Sequence, residues 1–307
     1  MFYDGMDFGP YFDPKELVWL LGEMVARRSE SSAGNEYEVA VFCKQYMQEM
    51  GFDSRLQETR DNRPNAIGVL KGSEGEKALL FNGHLDVVPV EEELWQTPPY
   101  VMTERNGKLY GRGTADMKGG IAAALYAAKV LQKAGVRLKG DLKFALTVDE
   151  ELFNIGVKKL VEDPAGLEAD WCIVGEPTGL DIAIGSRGVL AIDVEFQGVP
   201  CHAAQEQLGE NAIYMALPFM EAVRRLNEEY KKRPHPILGP ATLNVTVIRG
   251  GEKENVIPDY CLVRMDRRLI PGDSKQKALS EIQGILDELG LKAKVSVYTF
   301  LDYAETS

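Results

Sequence analysis

The sequence predicts an α/β protein: a doubly wound, mostly parallel sheet in residues 1–180, followed by a smaller α+β unit over residues 181–300. Three observations carry this. In the first part, apolar runs of strand length alternate with helical segments, as buried parallel strands and their crossover helices do. Near residue 180 the pattern changes to period-two alternation in IAIGSRGVLAIDVEFQG (182–198), the mark of antiparallel strands with one exposed face. Finally, 307 residues suffice for one large domain or two ordinary ones.

Taken in order, Asp13-Pro14 opens the first helix, with proline at its first position and Glu16 three residues after the cap. Leu17, Leu20, Leu21, Met24 and Val25 follow at helical spacing. A second helix is predicted over 36–50, with Val39, Phe42, Tyr46 and Met50 on one side and Gly51 as its stop. NAIGVLKG (65–72) and ALLFNGHLDVV (78–88) read as strands. GGIAAALYAAKVLQKAG (119–135) reads as a helix whose alanines suit close packing on a sheet. LKFALTVDEE (142–151) is a strand, NIGVKKLVED (154–163) a short helix and DWCIVGEPT (170–178) a further strand. In the second part come a long helix over 210–231, strands ATLNVTVIRGG (241–251) and DYCLVRMDRRL (259–269), a helix over 274–289 and strand KAKVSVYTF (292–300). The order ββ-α-β-β-α-β describes an open-faced α+β sandwich of the ferredoxin-like kind.

Composition narrows the function. Apolar residues make up 45% and charged residues 27%, the balance of a globular protein. The net charge of −12 argues against a nucleic-acid partner, which normally calls for a basic footprint. No apolar run approaches the ~20 residues that span a bilayer, and the N-terminus lacks the pattern of a signal peptide. The four cysteines are scattered without a CxxC pair, which suggests reduced thiols and a cytoplasmic protein.

Three strands of the first part finish in polar residues. FNGHLD ends with His84 and Asp86, FALTVDEE with Glu150 and Glu151, and WCIVGE with Glu176; Asp116 lies in the glycine-rich turn GRGTADMKGG directly before a helix. In a doubly wound sheet the carboxyl ends of the strands are where ligands bind. One such triplet or acidic strand end carries little weight alone, because most are solvated turns. Together they would bring an imidazole and several carboxylates to one edge, where they repel unless cations hold them. Mixed imidazole and carboxylate donors suit zinc, cobalt or manganese.

The stretches GHLDVVP (83–89), GRGTADMKGG (111–120), DEE (149–151) and GEPT (175–178), in this order and with a further domain after the last, resemble the co-catalytic metallohydrolase family. That family includes acetylornithine deacetylase, succinyl-diaminopimelate desuccinylase, aminoacylase-1 and glutamate carboxypeptidase. The resemblance implies that His84, Asp116, Glu151 and Glu176 are metal ligands, Asp116 bridging two zinc ions, with Co2+ or Mn2+ as alternatives. It also implies that Asp86 orients the His84 ring, that Glu150 is the general base, and that a cis peptide follows Asp116. The second domain would be an inserted lid and dimerisation domain. There GVPCHAAQEQLGENAI (198–213) resembles the stretch whose histidine, His202 here, reaches into the partner's site in family homodimers to stabilise an oxyanion. Residues 205–207 (QEQ) depart from the usual proline-containing form. Asn244 and Arg268 match lid positions that contact substrate, and a guanidinium can grip a carboxylate bidentately. Arg187 is a weaker candidate of the same kind, and nothing marks His235 beyond a loop.

The family pattern also uses a histidine from a C-terminal segment that returns to the first domain. This chain ends at LDYAETS, so residues 301–307 would be the truncated start of that return. The expectation is then an incomplete catalytic domain, a second metal site with Asp116 and Glu151 alone, one tightly held metal, weak activity, and an apolar sheet edge left open. The activity implied is hydrolysis of the amide of a small N-acyl amino acid. The alternatives are a carboxypeptidase or dipeptidase of the same family, or a truncated non-catalytic dimerisation or binding chain.

Overall fold

The computed structural model describes residues 2–3, 5–60, 62–75, 77–163 and 167–306. The chain divides into two compact units, residues 1–180 and 181–307.

The first unit begins with the paired short strands β1 (Phe2–Tyr3) and β2 (Met6–Asp7). Helix α1 (Pro14–Ala26) starts where predicted, with an Asp13 carboxylate oxygen accepting the Lys15 N–H at 2.9 Å. Helix α2 (Tyr37–Glu49) has Glu36 at its N-cap but no side-chain cap, because that carboxylate is turned elsewhere. Strands β3 (Asp53–Gln57), β4 (Asn65–Leu70) and β5 (Ala78–His84) follow. A small hairpin of β6 (Thr103–Arg105) and β7 (Lys108–Tyr110) precedes helix α3 (Lys118–Lys133). Strand β8 (Asp141–Thr147), helix α4 (Ile155–Glu162) and strand β9 (Trp171–Val174) complete the unit.

The predicted α/β sheet is present, with strand order β3-β4-β8-β5-β9. It is mixed rather than mostly parallel. β5 runs parallel to both β8 and β9, whereas β3–β4 and β4–β8 are antiparallel. For β3–β4 the reason is their short connection, which allows an antiparallel pair but not the crossover a parallel one needs. The parallel half carries every polar strand end singled out above. Leu20, Met24 and Val25 of α1 and Ile121, Ala122 and Leu125 of α3 are fully buried in one core with Phe81, Phe144 and Leu146 of the sheet. Each of these side chains larger than alanine contributes about 1.5–3 kcal/mol relative to exposure. The last strand departs from its apolar sequence. All four residues of β9 are exposed, Trp171, Ile173 and Val174 by half or more, so among the described residues the sheet ends in an apolar strand.

In the second unit, β10 (Gly185–Ser186) and β11 (Gly188–Gln197) lead to β12 (Cys201–His202) and helix α5 (Ala212–Lys231). Strands β13 (Thr242–Gly250), β14 (Val256–Ile257) and β15 (Tyr260–Leu269), helix α6 (Lys275–Glu288) and strands β16 (Ala293–Leu301) and β17 (Ala304–Glu305) follow. The main sheet is antiparallel throughout, in the order β13-β15-β11-β16. Leu190, Ile192, Val194 and Phe196 of β11 alternate inward and pack with Phe219 of α5 and Ile282 of α6. The stretch 182–198 therefore yields one long strand, not two. Its first part forms only β10, which pairs with β17, and the Thr306 N–H donates to the Ile184 carbonyl at 2.7 Å. Leu301 likewise remains in β16, paired with Val189 of the same unit.

Candidate metal centre

The parallel register brings the polar strand ends together. His84 lies opposite Thr147 of β8, and Asn82 lies opposite Val174 of β9, so Glu150, Glu151 and Glu176 emerge at the level of His84. Asp116 comes from the turn before α3, and the Asp116–Met117 peptide is cis. The paired glycines after it allow the approach: a Cβ on Gly120 would lie 2.3 Å from the Gly175 carbonyl oxygen, a distance only glycine tolerates. His84 Nε2 is 3.0 Å from an Asp116 carboxylate oxygen and 3.6 Å from one of Glu176. Ligand atoms of His84, Asp116 and Glu151 all lie within 4.8 Å of one another.

Asp86 acts with both its main chain and its side chain. Its carbonyl accepts from His84 Nδ1 at 2.9 Å, and its carboxylate stands 3.5 Å from the same nitrogen. A proton is thereby held on Nδ1, which leaves Nε2 as the nitrogen that would face a cation. The carboxylate also accepts the N–H of Glu150 at 3.0 Å and of Glu151 at 3.1 Å. One fully buried aspartate therefore ties the imidazole to both glutamates.

The electrostatics are those of a cluster with too much negative charge. Burial raises the Glu176 carboxyl to about 7, and Asp116, Glu150 and Glu151 add to it against the pull of His84. Glu150 and Glu151 are raised in the same direction, again by burial first. Burial alone would lower His84, but hydrogen bonding and charge from Asp86, then Glu176 and Glu150, carry it up to about 10. The His84 bond holds Asp86 below its usual range against the cost of its burial. An oriented imidazole nitrogen and convergent carboxylates that disfavour one another's charge are a donor set that fits a divalent cation of the zinc type.

The candidates from the second unit lie apart in character. His202 is exposed, with Nδ1 accepting the Ala204 N–H at 3.2 Å. Asn244 is exposed on β13, 3.5 Å from Asn227. Arg268 is exposed on β15 and donates to Asp266 at 2.9 Å. Arg187 donates to the Leu238 carbonyl. His235 Nδ1 accepts the N–H groups of Ile237 and Leu238, a loop-closing role.

Sequence reasoning missed the support beneath the glutamates. Asp149, fully buried, adopts a left-handed conformation with φ of 64°. Its carboxylate takes a hydrogen bond from Arg63 at 2.8 Å. Arg63 is itself gripped by the buried Glu36. The one available signal was an arginine in the polar turn NRPN, directly before an apolar strand.

Similarity to known proteins agrees with this geometry. Residues 80–273 match peptidase family M20/M25/M40. The chain is 31% identical over 286 residues to N-formyl-4-amino-5-aminomethyl-2-methylpyrimidine deformylase of Halalkalibacterium halodurans, covering 88% of this chain and 66% of that protein. It is 35% identical over 279 residues to acetylornithine deacetylase of Myxococcus xanthus, covering 88% of this chain and 71% of that protein. It thus spans about two thirds of the length of these curated relatives. Its fold is similar to that of an M20 family metallo-carboxypeptidase, Sso-CP2 of Sulfolobus solfataricus, with a TM-score of 0.79 at 21% identity over 96% of this chain and 80% of that one. With its ordered motifs, its convergent donors and a family match over most of its length, the chain belongs to peptidase family M20/M25/M40.

Proposed function

We propose that the protein is a metal-dependent amidohydrolase that cleaves an N-acyl amino acid to a carboxylate and a free amine, in the manner of a deacetylase or desuccinylase. The observation that carries this is the convergence of His84, Asp116 and Glu151 within 4.8 Å, with Glu150 directly before Glu151 in the same turn. In this reading His84, Asp116 and Glu176 hold one cation, and Asp116 and Glu151 contribute to a second. Zinc is the first choice, with cobalt or manganese able to replace it. Bound there, the metal supplies a Lewis acid that polarises the amide carbonyl and makes water easier to deprotonate.

The protein's own residues do the rest. Glu150 takes a proton from water and delivers it to the leaving amine, a task suited to a carboxylate whose burial raises its proton affinity. Asp86 keeps Glu150 and His84 in register through the hydrogen bonds described. His202 is proposed to steady the developing oxyanion from the partner subunit of a homodimer formed through residues 181–300. Asn244 and Arg268 are proposed to hold the substrate carboxylate. The four free cysteines support a cytoplasmic setting.

The test is amine release from N-acetyl, N-succinyl and N-formyl amino acids and from dipeptides, with zinc-loaded protein and Glu150→Gln in parallel. Hydrolysis of an N-acyl amino acid that disappears in Glu150→Gln with metal retained is expected. Preference for dipeptides would move the reading to a peptidase. No turnover of any of these by protein with both sites filled would overturn it.

A further inference from the structure

We infer that Arg63 and Asp149 are positioning residues for the Glu150–Glu151 pair, acting through the backbone turn that carries the two glutamates. The inference rests on the reading of Glu151 as a metal ligand.

The turn is clamped from two sides. On one side the Asp86 carboxylate accepts the amides of Glu150 and Glu151. On the other, the chain reverses at Asp149 through its left-handed conformation, which aspartate tolerates better than most residues but not without cost. The Asp149 carboxylate makes that conformation specific. One oxygen accepts the Phe153 N–H at 3.1 Å and the Ile155 N–H at 3.4 Å, while the Asp149 carbonyl accepts the Asn154 N–H at 2.6 Å. The other oxygen receives Arg63 Nη2 at 2.8 Å. Arg63 is 7% exposed and cannot shift freely, since its Nε donates to Glu36 at 2.8 Å and Nη2 also reaches Glu36 and the Ser31 carbonyl. Glu36 is fully buried at the start of α2, where its carboxylate serves Arg63 instead of capping the helix.

A buried guanidinium spanning two buried carboxylates is costly to assemble and costly to break. Here it joins the start of α2 to the one residue whose backbone conformation aims the glutamates. A planar fork presents donors on separate nitrogens that can meet both acids at once, whereas an ammonium offers its donors from one nitrogen and must lie close to both acids to serve them. Groups that orient metal ligands typically change metal affinity by about 10- to 100-fold when removed.

The experiment measures Co2+ affinity and the visible absorption spectrum of the cobalt-loaded full chain, with unfolding followed alongside. The variants are Arg63→Met, Arg63→Lys, Asp149→Asn, Glu151→Gln and Arg63→Met with Glu151→Gln. Arg63→Met is expected to weaken cobalt binding about tenfold or more and to alter the spectrum, with Arg63→Lys between it and the parent. The double variant should bind no more weakly than Glu151→Gln alone, because a residue acting through Glu151 has nothing left to act on. If Arg63→Met does not fold, Asp149→Asn carries the same expectation with volume conserved. Unchanged affinity and spectrum in a folded variant, or fully additive losses, would overturn the inference. If Glu151→Gln itself leaves cobalt binding unchanged, the ligand assignment fails instead, and the two failures are told apart.

Discussion

In the first unit the candidates His84 and Asp86 are buried and held in place, whereas the candidates of the second unit are exposed. His84 is 2% exposed, Asp86 and Asp149 are fully buried, and each has a polar partner from a distant part of the chain: Asp116 for His84, the Glu150 and Glu151 amides for Asp86, and Arg63 for Asp149. His202, Asn244 and Arg268 are exposed, and the side-chain hydrogen bonds of His202 and Arg268 go to residues two positions away. The contrast has a physical origin. A cation site must exist before the cation arrives, since mutually repelling donors would otherwise drift apart. A group that grips a substrate gains by remaining solvated until the ligand displaces the water.

Five substitutions sharpen or break that contrast. The largest effect is expected from Glu150→Gln, which should lower turnover by about 10²- to 10⁴-fold, the usual share of general acid–base catalysis. Metal content should not change; metal lost along with activity would mean that Glu150 belongs to the cage. Next comes a pair of adjacent arginines within the second unit. Arg267 is 1% exposed, donates to Asp273 at 2.8 Å and lies 3.9 Å over the Tyr230 ring. Arg267→Met should cost about 3–5 kcal/mol in urea unfolding, because the buried pair with Asp273 is broken and only the exposed Lys277, at 3.3 Å, remains beside that carboxylate. Arg268→Met should leave unfolding untouched and raise KM. Equal stability losses at both positions would erase the distinction between scaffold and waiting group.

His202→Ala should reduce kcat by about 10²- to 10³-fold, the typical value of an oxyanion donor. The unfolding midpoint should stay in place, since the ring is exposed and its one resolved bond is local. A shifted midpoint with unchanged kcat would make His202 a structural residue. The smallest effect is expected at Asp13→Ala, which removes the cap of α1 and should cost about 1 kcal/mol with no change in metal affinity. A change in metal affinity there would show that the supposedly rigid first unit transmits strain from its surface.

How far the site could be read in advance depended on the kind of signal. His84, Asp86, Glu150, Glu151 and Glu176 were legible because each sits at the end of an apolar run, and Asp116 because glycines surround it. The open edge at β9 was harder. Its residues read as a buried strand, and its exposure is a property of having a neighbour on one side only. For Arg63 the turn NRPN before an apolar strand was too weak a signal. Arg63 stands 86 residues from Asp149, and nothing local distinguishes it from a surface arginine in a turn. The same holds for Arg267 and Arg268, which share a motif and differ only in which face of β15 they occupy.

By itself, then, the sequence determined what neighbours along the chain decide: the capped start of α1, the period-two alternation of β11, and the order in which donors fall at strand ends. These depend on side-chain geometry within one or two turns and hold whatever the rest of the chain does. Tertiary structure alone decided the mixed pairing around β4 and β8, the clamp of the glutamate turn between Asp86 and Asp149, and the choice of Arg63 as its buried counter-charge. Many registers and partners satisfy the same local pattern, and only packing the whole sheet against α1 and α3 selects one of them.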